Sequence, residues 1–415
     1  MDKVVILFKG GVETQEFFSI EMAKTFEAHG YEVYWFDLVV SGVSARLLSD
    51  FYFKNKAKQF VAFTFNFSGI AGEDGLFGEE YKSGNFWDDT EIPVFNMVVD
   101  HPLYYHKYLS ARPERYYQIC IDKNHVRYIK RFFPEVRLAP RGGFLPLGGT
   151  EINAGRNILS ERYLPVEKRN IDVIFTGNYT PLKHFDRFLE PFDREYQEFY
   201  RGLVDELISH PDRLVEDAAE NSLRQQGVEF NDDELKSIMP NLMFVDLSVR
   251  FYFRSRVIAA LADSGVEVHT FGAGWDLLEC AHPENIIKAG SVSSQTCLDM
   301  ISRSKISVNV MPWFKRGAHD RVFNSMLNGA LCVTDGSTYL NKHFEHGRDI
   351  CFYSLWNVSE AAEQIKRLLA DWDMIEAITD SAYRKCVESH TWECRTEELI
   401  EWIEGENYEV QDWDM

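Results

Sequence analysis

Residues 315–335 read KRGAHDRVFNSMLNGALCVTD: a basic, glycine-bearing loop, a short amphipathic segment ending at Gly329, then an apolar run. That order is loop, helix, strand. Four of its side chains can act on an anion. Arg321 offers a planar fork for two oxygens, Lys315 and Arg316 add charge, and His319 can donate one more hydrogen bond. A helix opening beside them contributes free amides and a partial positive charge. The same residues also fit a plain helix start, with Asp320 as the cap and Arg321 in solvent. Asp100 and His101 are candidates of a second kind, because a carboxylate or imidazole at a strand end can accept a proton. Asp122 and His125 offer the same two groups further along, and each of the four can equally be a turn cap.

Such groups need a scaffold to converge. Short apolar, β-rich runs alternate with helical patterns along the whole chain, first at 4–8, 33–37, 60–65, 94–99 and 117–121, with a weaker run at 136–139. Between the first two, Phe18, Met22 and Phe26 recur at helical spacing and Gly30 closes the segment, which makes a βαβ unit. The second half repeats the plan at 171–176, 266–271, 286–289, 306–310, 330–334 and 350–353, with a helical insertion over about 185–262. Continuous apolar strands covered by helices imply parallel, doubly wound sheets, so the fold class is α/β with two Rossmann-like domains. The expected layout is a first domain over 1–150, a linker over 151–170 and a second domain over 171–395. A helix with an acidic tail, 396–415, returns toward the first domain through the stripe Glu398, Leu399, Trp402 and Ile403.

At 415 residues the chain exceeds one ordinary core, and 45% hydrophobic with 14% aromatic residues exclude a disordered chain. A formal charge of −21 argues against nucleic acid or an anionic membrane as the main partner; a local basic pocket and peripheral membrane contact stay open. Seven cysteines without a CxxC pair suit reduced thiols and a cytoplasmic location. The first apolar stretch is too short for a signal peptide, and no run is long enough to span a bilayer.

Open parallel sheets bind ligands beyond the carboxyl ends of their strands, so the residues just past each apolar run are the candidates. In the first domain they include Gly10 and Gly11, Asn66, Asp100 and His101, and Arg141 with Gly142. In the second they include Gly177 and Asn178 with Lys183 close behind, then Gly272, Gly274 and Trp275, Ser291 and Val292, Met311 and Pro312, and Asp335. Two such crevices facing each other would make a cleft. Other chemistries lack their signatures: GxSxG, GxxxxGK[ST] and HExxH are absent, and His101 with His106 has no third zinc ligand at a usable spacing. The DxD patterns Asp371-Trp372-Asp373 and Asp412-Trp413-Asp414 follow no buried strand of a nucleotide-binding domain, so no metal is expected.

The runs GAHDRVFNSMLNGALCVTD, FEHGRDICFYSLWNVSEAAEQIKRLLAD and SHTWECRTEELIEWI resemble, in order and spacing, the donor-binding domain of group 1 type glycosyltransferases with the GT-B fold. The resemblance is to the bacterial subgroup with an Arg-Val-Phe segment, a Gly-Ala step and a late His-Thr-Trp; it spans about 170–403 and extends to the first domain only in architecture. It implies transfer of a sugar from a nucleotide-sugar donor to a glycan, protein or small-molecule acceptor, with no metal or other cofactor. Arg321, helped by His319 and Asp320, would hold and stabilise the diphosphate as it leaves. Gly177, Asn178 and Lys183 would add phosphate contacts, Gly272, Gly274 and Trp275 would lie near the base, and Ser291, Val292, Met311 and Pro312 would line its pocket. Asp100 or His101 would serve the acceptor, among Gly10, Gly11, Asn66, Arg141 and Gly142. One departure stands out: the family often places a ribose-binding Glu after Arg-Val-Phe, and here that residue is Asn324, whose amide is expected to bind the donor by hydrogen-bonding a hydroxyl. A GT-B nucleotide-sugar epimerase and a non-catalytic nucleotide- or glycan-binding protein are the alternatives.

Overall fold

Alternating apolar runs become strands because both faces of each sheet are covered, and among the described residues they form eleven strands in two parallel sheets. The computed structural model describes residues 2–152 and 163–405. Most of the expected linker, residues 153–162, and the acidic tail 406–415 with Asp412 and Asp414 lie outside the described residues. The chain divides into two units, one running to Gly148 and resuming at Trp392, the other being Gly149–Thr391.

In the first unit β1 (Lys3–Lys9), β2 (Tyr31–Asp37), β3 (Gln59–Phe65), β4 (Val94–Val98) and β5 (Tyr116–Cys120) lie in the order β2-β1-β3-β4-β5. The helix Glu13–Ala28 buries Phe18, Met22 and Phe26 and is stopped by Gly30 at φ 82°, where a side chain would be strained. Helix Trp392–Glu404 joins this unit: Trp392 meets Phe18 at 4.7 Å between ring centroids, and Leu399 and Trp402 are buried. The weak run 136–139 is not a strand. Leu138 makes one isolated bridge to Gln118 before Pro140, which carries no amide hydrogen to extend a ladder.

The second unit contains β6 (Ile171–Thr176), β7 (Val268–Phe271), β8 (Ile286–Gly290), β9 (Ser304–Asn309), β10 (Leu331–Asp335) and β11 (Cys351–Tyr353), in the order β11-β10-β9-β6-β7-β8. The insertion between β6 and β7 carries helices Arg194–Ser209, Val215–Gln225, Asp232–Ile238 and Met243–Asp263; the third opens with a capping box, Asn231 with Glu234. Strand order reverses direction between β6 and β9, and in the first unit between β1 and β3. A crevice opens at such points because the loops on either side depart toward opposite faces.

Candidate functional site

Arg321 stands at the β6/β9 reversal. It is the second residue of helix Asp320–Leu327, which is buried along its whole length, so the guanidinium leaves the helix into protein and not into solvent. Nη1 donates to the carbonyl of Thr176 at the end of β6 (2.6 Å), and Nε donates to His319 Nδ1 (3.2 Å). Nη2 is buried and, among the described residues, has no acceptor. Burial pushes the guanidinium down to about 10, since the charged form is deprived of water. A buried, cationic donor without a partner is costly and is the usual mark of a site that awaits an anion.

Two arginines from the insertion share this place. Arg254 donates to the Asn178 carbonyl (2.7 Å) and lies 5.2 Å from the centroid of the Trp313 ring, while Arg250 covers the same ring at 4.0 Å and pairs with Asp246 at 3.4 Å. Arg254 and Arg321 both lie over Phe175, at 5.9 and 5.6 Å. Positions 250 and 254 lie far from any strand end, and their spacing of four residues on a largely apolar helix is the signal in the sequence that could have marked them. Lys315 and Arg321 both act on Asp335, the last residue of β10, whose carboxyl burial raises to about 7 while it accepts from the Met311 amide at 2.8 Å. Four cations (Arg250, Arg254, Lys315, Arg321) thus face Asp246, Asp320 and a carboxyl that is half protonated near neutrality. The local balance is positive in a chain of formal charge −21.

The helix N-terminus itself is occupied by the chain. His319 caps it, its Nδ1 accepting from the Arg321 amide (3.3 Å), and Asp320 Oδ1 lies 2.5 Å from the same nitrogen. Burial, then Arg321, lowers His319 to about 4 and leaves it neutral at pH 7. Burial also raises the Asp320 carboxyl, but His319 and Arg321 outweigh it and hold it below its ordinary value. Among the described residues the unspent donor at this place is therefore a guanidinium N–H rather than the capped helix amide.

The glycine loops have a different role from the one their sequence suggested. The Gly177 amide donates to Phe271 O (2.7 Å), Tyr179 to Ala273 O (2.9 Å), Gly272 to Gly290 O (2.8 Å) and Ala273 to Asn178 Oδ1 (2.9 Å), so these amides are spent joining loop to loop. A Cβ on Gly272 would lie 2.4 Å from Gly177 O, and one on Gly274 2.1 Å from Tyr179 O. Glycine is needed here for close backbone approach. Trp275 is interior: it is 1% exposed, its Nε1 donates to Gly177 O (2.8 Å), and it stacks on Tyr179. Lys183 is exposed and 3.5 Å from Glu279, on the wall of a separate hollow with His184 and Asp276. Ser291 and Val292 are exposed after β8, and Met311 and Pro312 are buried after β9. Both ends of the Asn324 amide are engaged, Nδ2 donating to Asp320 Oδ2 (2.9 Å) and Oδ1 accepting from the Thr150 amide (2.9 Å). Asp371 caps helix Trp372–Ser389, accepting from Met374 at 3.0 Å, which accounts for the first DxD without a metal.

In the first unit the β1/β3 reversal holds a shallow hollow lined by Gly11, Gln15, Thr64 and Ser68. Asn66 and Phe67 follow β3 with φ of 49° and 65°, a conformation enforced by Phe67, whose amide donates to Asn96 Oδ1 (2.9 Å) and whose ring is buried on Tyr116. That turn delivers Asn66 Nδ2 to Asp100 Oδ2 (3.1 Å), which also accepts from Tyr105 O–H at 3.1 Å. Asp100 is half-buried, but His101 is interior: it is 5% exposed, caps the turn Pro102–Tyr105 and packs against His125 at 4.7 Å. Asp122 is fully buried as the cap of helix Lys123–Phe132. Arg141 is taken up by Glu398 (3.2 Å) and Glu401 (2.9 Å), and Gly10 sits so close to Asp37 that a Cβ would meet Oδ1 at 2.7 Å. Gly142, at φ 75°, makes the turn beside it.

Residues 254–401 match the family described as glycosyl transferase-like. None of the curated proteins compared matches the chain. Among solved structures, the chain is similar to Anabaena HepE in complex with UDP-glucose, with TM-score 0.50, 10% identity and coverage of 97% of this chain and 99% of that one. It is also similar to an alpha-glucosyltransferase (AGT) in complex with UDP, with TM-score 0.51, 12% identity and coverage of 97% and 100%. A complex of alpha-glucosyltransferase with UDP and a 13-mer DNA gives 0.51, 11%, 97% and 99%. The two parallel-sheet domains have the GT-B fold, and residues 254–401, most of them in the second unit, match a glycosyl transferase-like domain. The Arg321-Val322-Phe323 and Gly329-Ala330 steps, which resemble group 1 type glycosyltransferases, lie within that matched segment. Among the described residues no helix is long and apolar enough to cross a membrane.

Proposed function

We propose that the protein transfers a sugar, without a metal, from a nucleoside-diphosphate donor held in the second unit to a hydroxyl-bearing glycan, protein or small molecule. The observation that carries this reading is Arg321, whose buried Nη2 has no partner among the described residues at the strand reversal beside the glycosyl transferase-like segment. As the bond from the anomeric carbon to the diphosphate oxygen breaks, negative charge grows on the leaving group. Guanidinium groups already fixed in low dielectric stabilise that charge without reorganising, and Arg250 and Arg254 extend the field. Four cations also supply the charge that a divalent ion would bring, which supports the metal-free reading. Asp100 is the proposed proton acceptor for the attacking hydroxyl, supported by its partial exposure and by the Asn66 and Tyr105 donors that fix its orientation. The similar structures carry UDP or UDP-glucose, so a uridine donor is the first to test. The charge of −21 disfavours DNA, present in one of those complexes, as the acceptor here.

Titrating UDP, GDP and their glucose and mannose conjugates into the protein by calorimetry, with and without EDTA, tests the reading. Binding of one diphosphate family that is unchanged by EDTA is expected. If no nucleotide diphosphate or nucleotide sugar binds, the proposal is wrong.

A further inference from the structure

The chain passes between its two units twice, at Gly148/Gly149 and at Thr391/Trp392. On the side of the second unit both passages rest on the helix that carries Arg321. Thr150 donates its amide to Asn324 Oδ1 (2.9 Å), Asn328 Nδ2 donates to the Thr150 carbonyl (2.8 Å), and Ile152 donates its amide to Asn328 Oδ1 (3.0 Å). Two asparagines four residues apart thus imitate the edge of a strand, because residues at that spacing share one helix face. Gly149 is pressed so close to the helix that a Cβ would lie 2.7 Å from Phe323 Cβ. Its amide donates to the His390 carbonyl (2.8 Å), which ties the two passages together, and the His390 ring stacks on Phe323 at 4.8 Å and 2°. From the other end of the helix Arg321 Nε donates to His319, whose ring lies against the Asp320 carboxylate; Asp320 Oδ2 accepts from Asn324 Nδ2, and Asn324 Oδ1 accepts from the Thr150 amide.

We propose that Asn324 is a positioning residue that links occupancy of the anion site at Arg321 to the conformation of the inter-unit passage at 149–152. It takes the place where the resembling family often has a ribose-binding Glu, and it does a different job. A carboxylate there would face Asp320 Oδ2 at hydrogen-bond distance, two like charges in a buried setting; the amide removes that repulsion and supplies a donor to one side and an acceptor to the other. An anion on Arg321 changes the charge balance around His319 and Asp320, and Asn324 carries the change to the Thr150 amide. The inference rests on the donor site proposed above.

Site-resolved amide hydrogen exchange on the full-length protein, with and without UDP, tests it, with UDP affinity measured in parallel. In the wild type UDP should slow exchange at Thr150 and Ile152 by at least about fivefold, the low end of ordinary coupling between sites. Asn324→Asp keeps an acceptor for Thr150 but loses the donor to Asp320. It should still bind UDP and no longer transmit the protection. Asn328→Ala should speed exchange at Ile152 even without ligand, which keeps the tie testable if Asn324→Asp does not fold. Wild-type binding with unchanged exchange at both amides overturns the linkage and leaves the donor site standing. So does an Asn324→Asp variant that retains the wild-type protection response to saturating UDP, and if its affinity for UDP has also collapsed, Asn324 is a direct ligand. Failure of the wild type to bind UDP overturns the donor reading and this inference together.

Discussion

Replacing Arg321 by Met keeps most of the side-chain volume and removes the charge, and the structure gives that change two opposing terms in stability and a large loss in function. Holding the guanidinium where burial lowers its ionisation to about 10 costs the empty protein about 3 kcal/mol at neutral pH, from roughly 1.4 kcal/mol per unit. Met removes that cost. It also leaves the Thr176 carbonyl without its donor, which costs about 1–3 kcal/mol. The two nearly cancel, so the melting temperature of the free protein should move by only a few degrees. Donor handling should suffer far more: a charge-assisted contact that strengthens as the diphosphate leaves contributes about 2–4 kcal/mol, a factor of roughly 30 to 1,000 in rate. Differential scanning fluorimetry with and without UDP, alongside donor hydrolysis or transfer, reads both quantities. The reasoning fails if the variant melts well below the wild type yet binds UDP and turns over normally. Arg321 would then be a brace between β6 and its helix. The burial of Arg321 and its bond to Thr176 make the small net effect on folding a cancellation of two terms.

Two further substitutions address other groups. Asp335 is raised from 3.8 to about 7, so between those values the native state holds a proton that the unfolded chain has released, and stability falls as pH rises through the window. Asp335→Asn should therefore gain on the wild type by as much as about 4 kcal/mol between pH 4 and pH 8 in chemical denaturation. A constant difference across that range would show that Asp335 titrates normally. His319, lowered to about 4, works in the opposite direction, its contribution being full above 6.5 and lost on acidification, and it cancels in the comparison of variant with wild type. Asp100→Asn should reduce transfer by about a hundredfold or more while UDP affinity stays unchanged, because a general base typically contributes that much. Normal turnover with a lowered melting temperature would instead make Asp100 a partner for Asn66 and Tyr105 and nothing else.

The alternation of apolar runs was sufficient to place the strands of both sheets, since a strand buried on both faces must be apolar nearly throughout and no other element of that length has to be. The order of motifs from Gly317 to Ile403 was likewise enough to indicate the class. A one-dimensional pattern does not show where polar groups spend their hydrogen bonds. Gly177, Gly272 and Gly274 look the same in sequence whether their amides cradle a phosphate or join two loops, and only the distances to Phe271, Gly290 and Tyr179 decide between the two. Trp275 beside a glycine turn could line a base pocket or fill a core. Arg250 and Arg254 lie more than sixty positions before Arg321 in the chain and enter the same cluster only because helix Met243–Asp263 folds over the sheet. The sequence by itself determined which segments are strands and helices, because that depends on local periodicity and burial. Tertiary structure alone decided which cations share a buried space and which amides remain unspent, because electrostatics and hydrogen bonding act between residues that the chain keeps far apart.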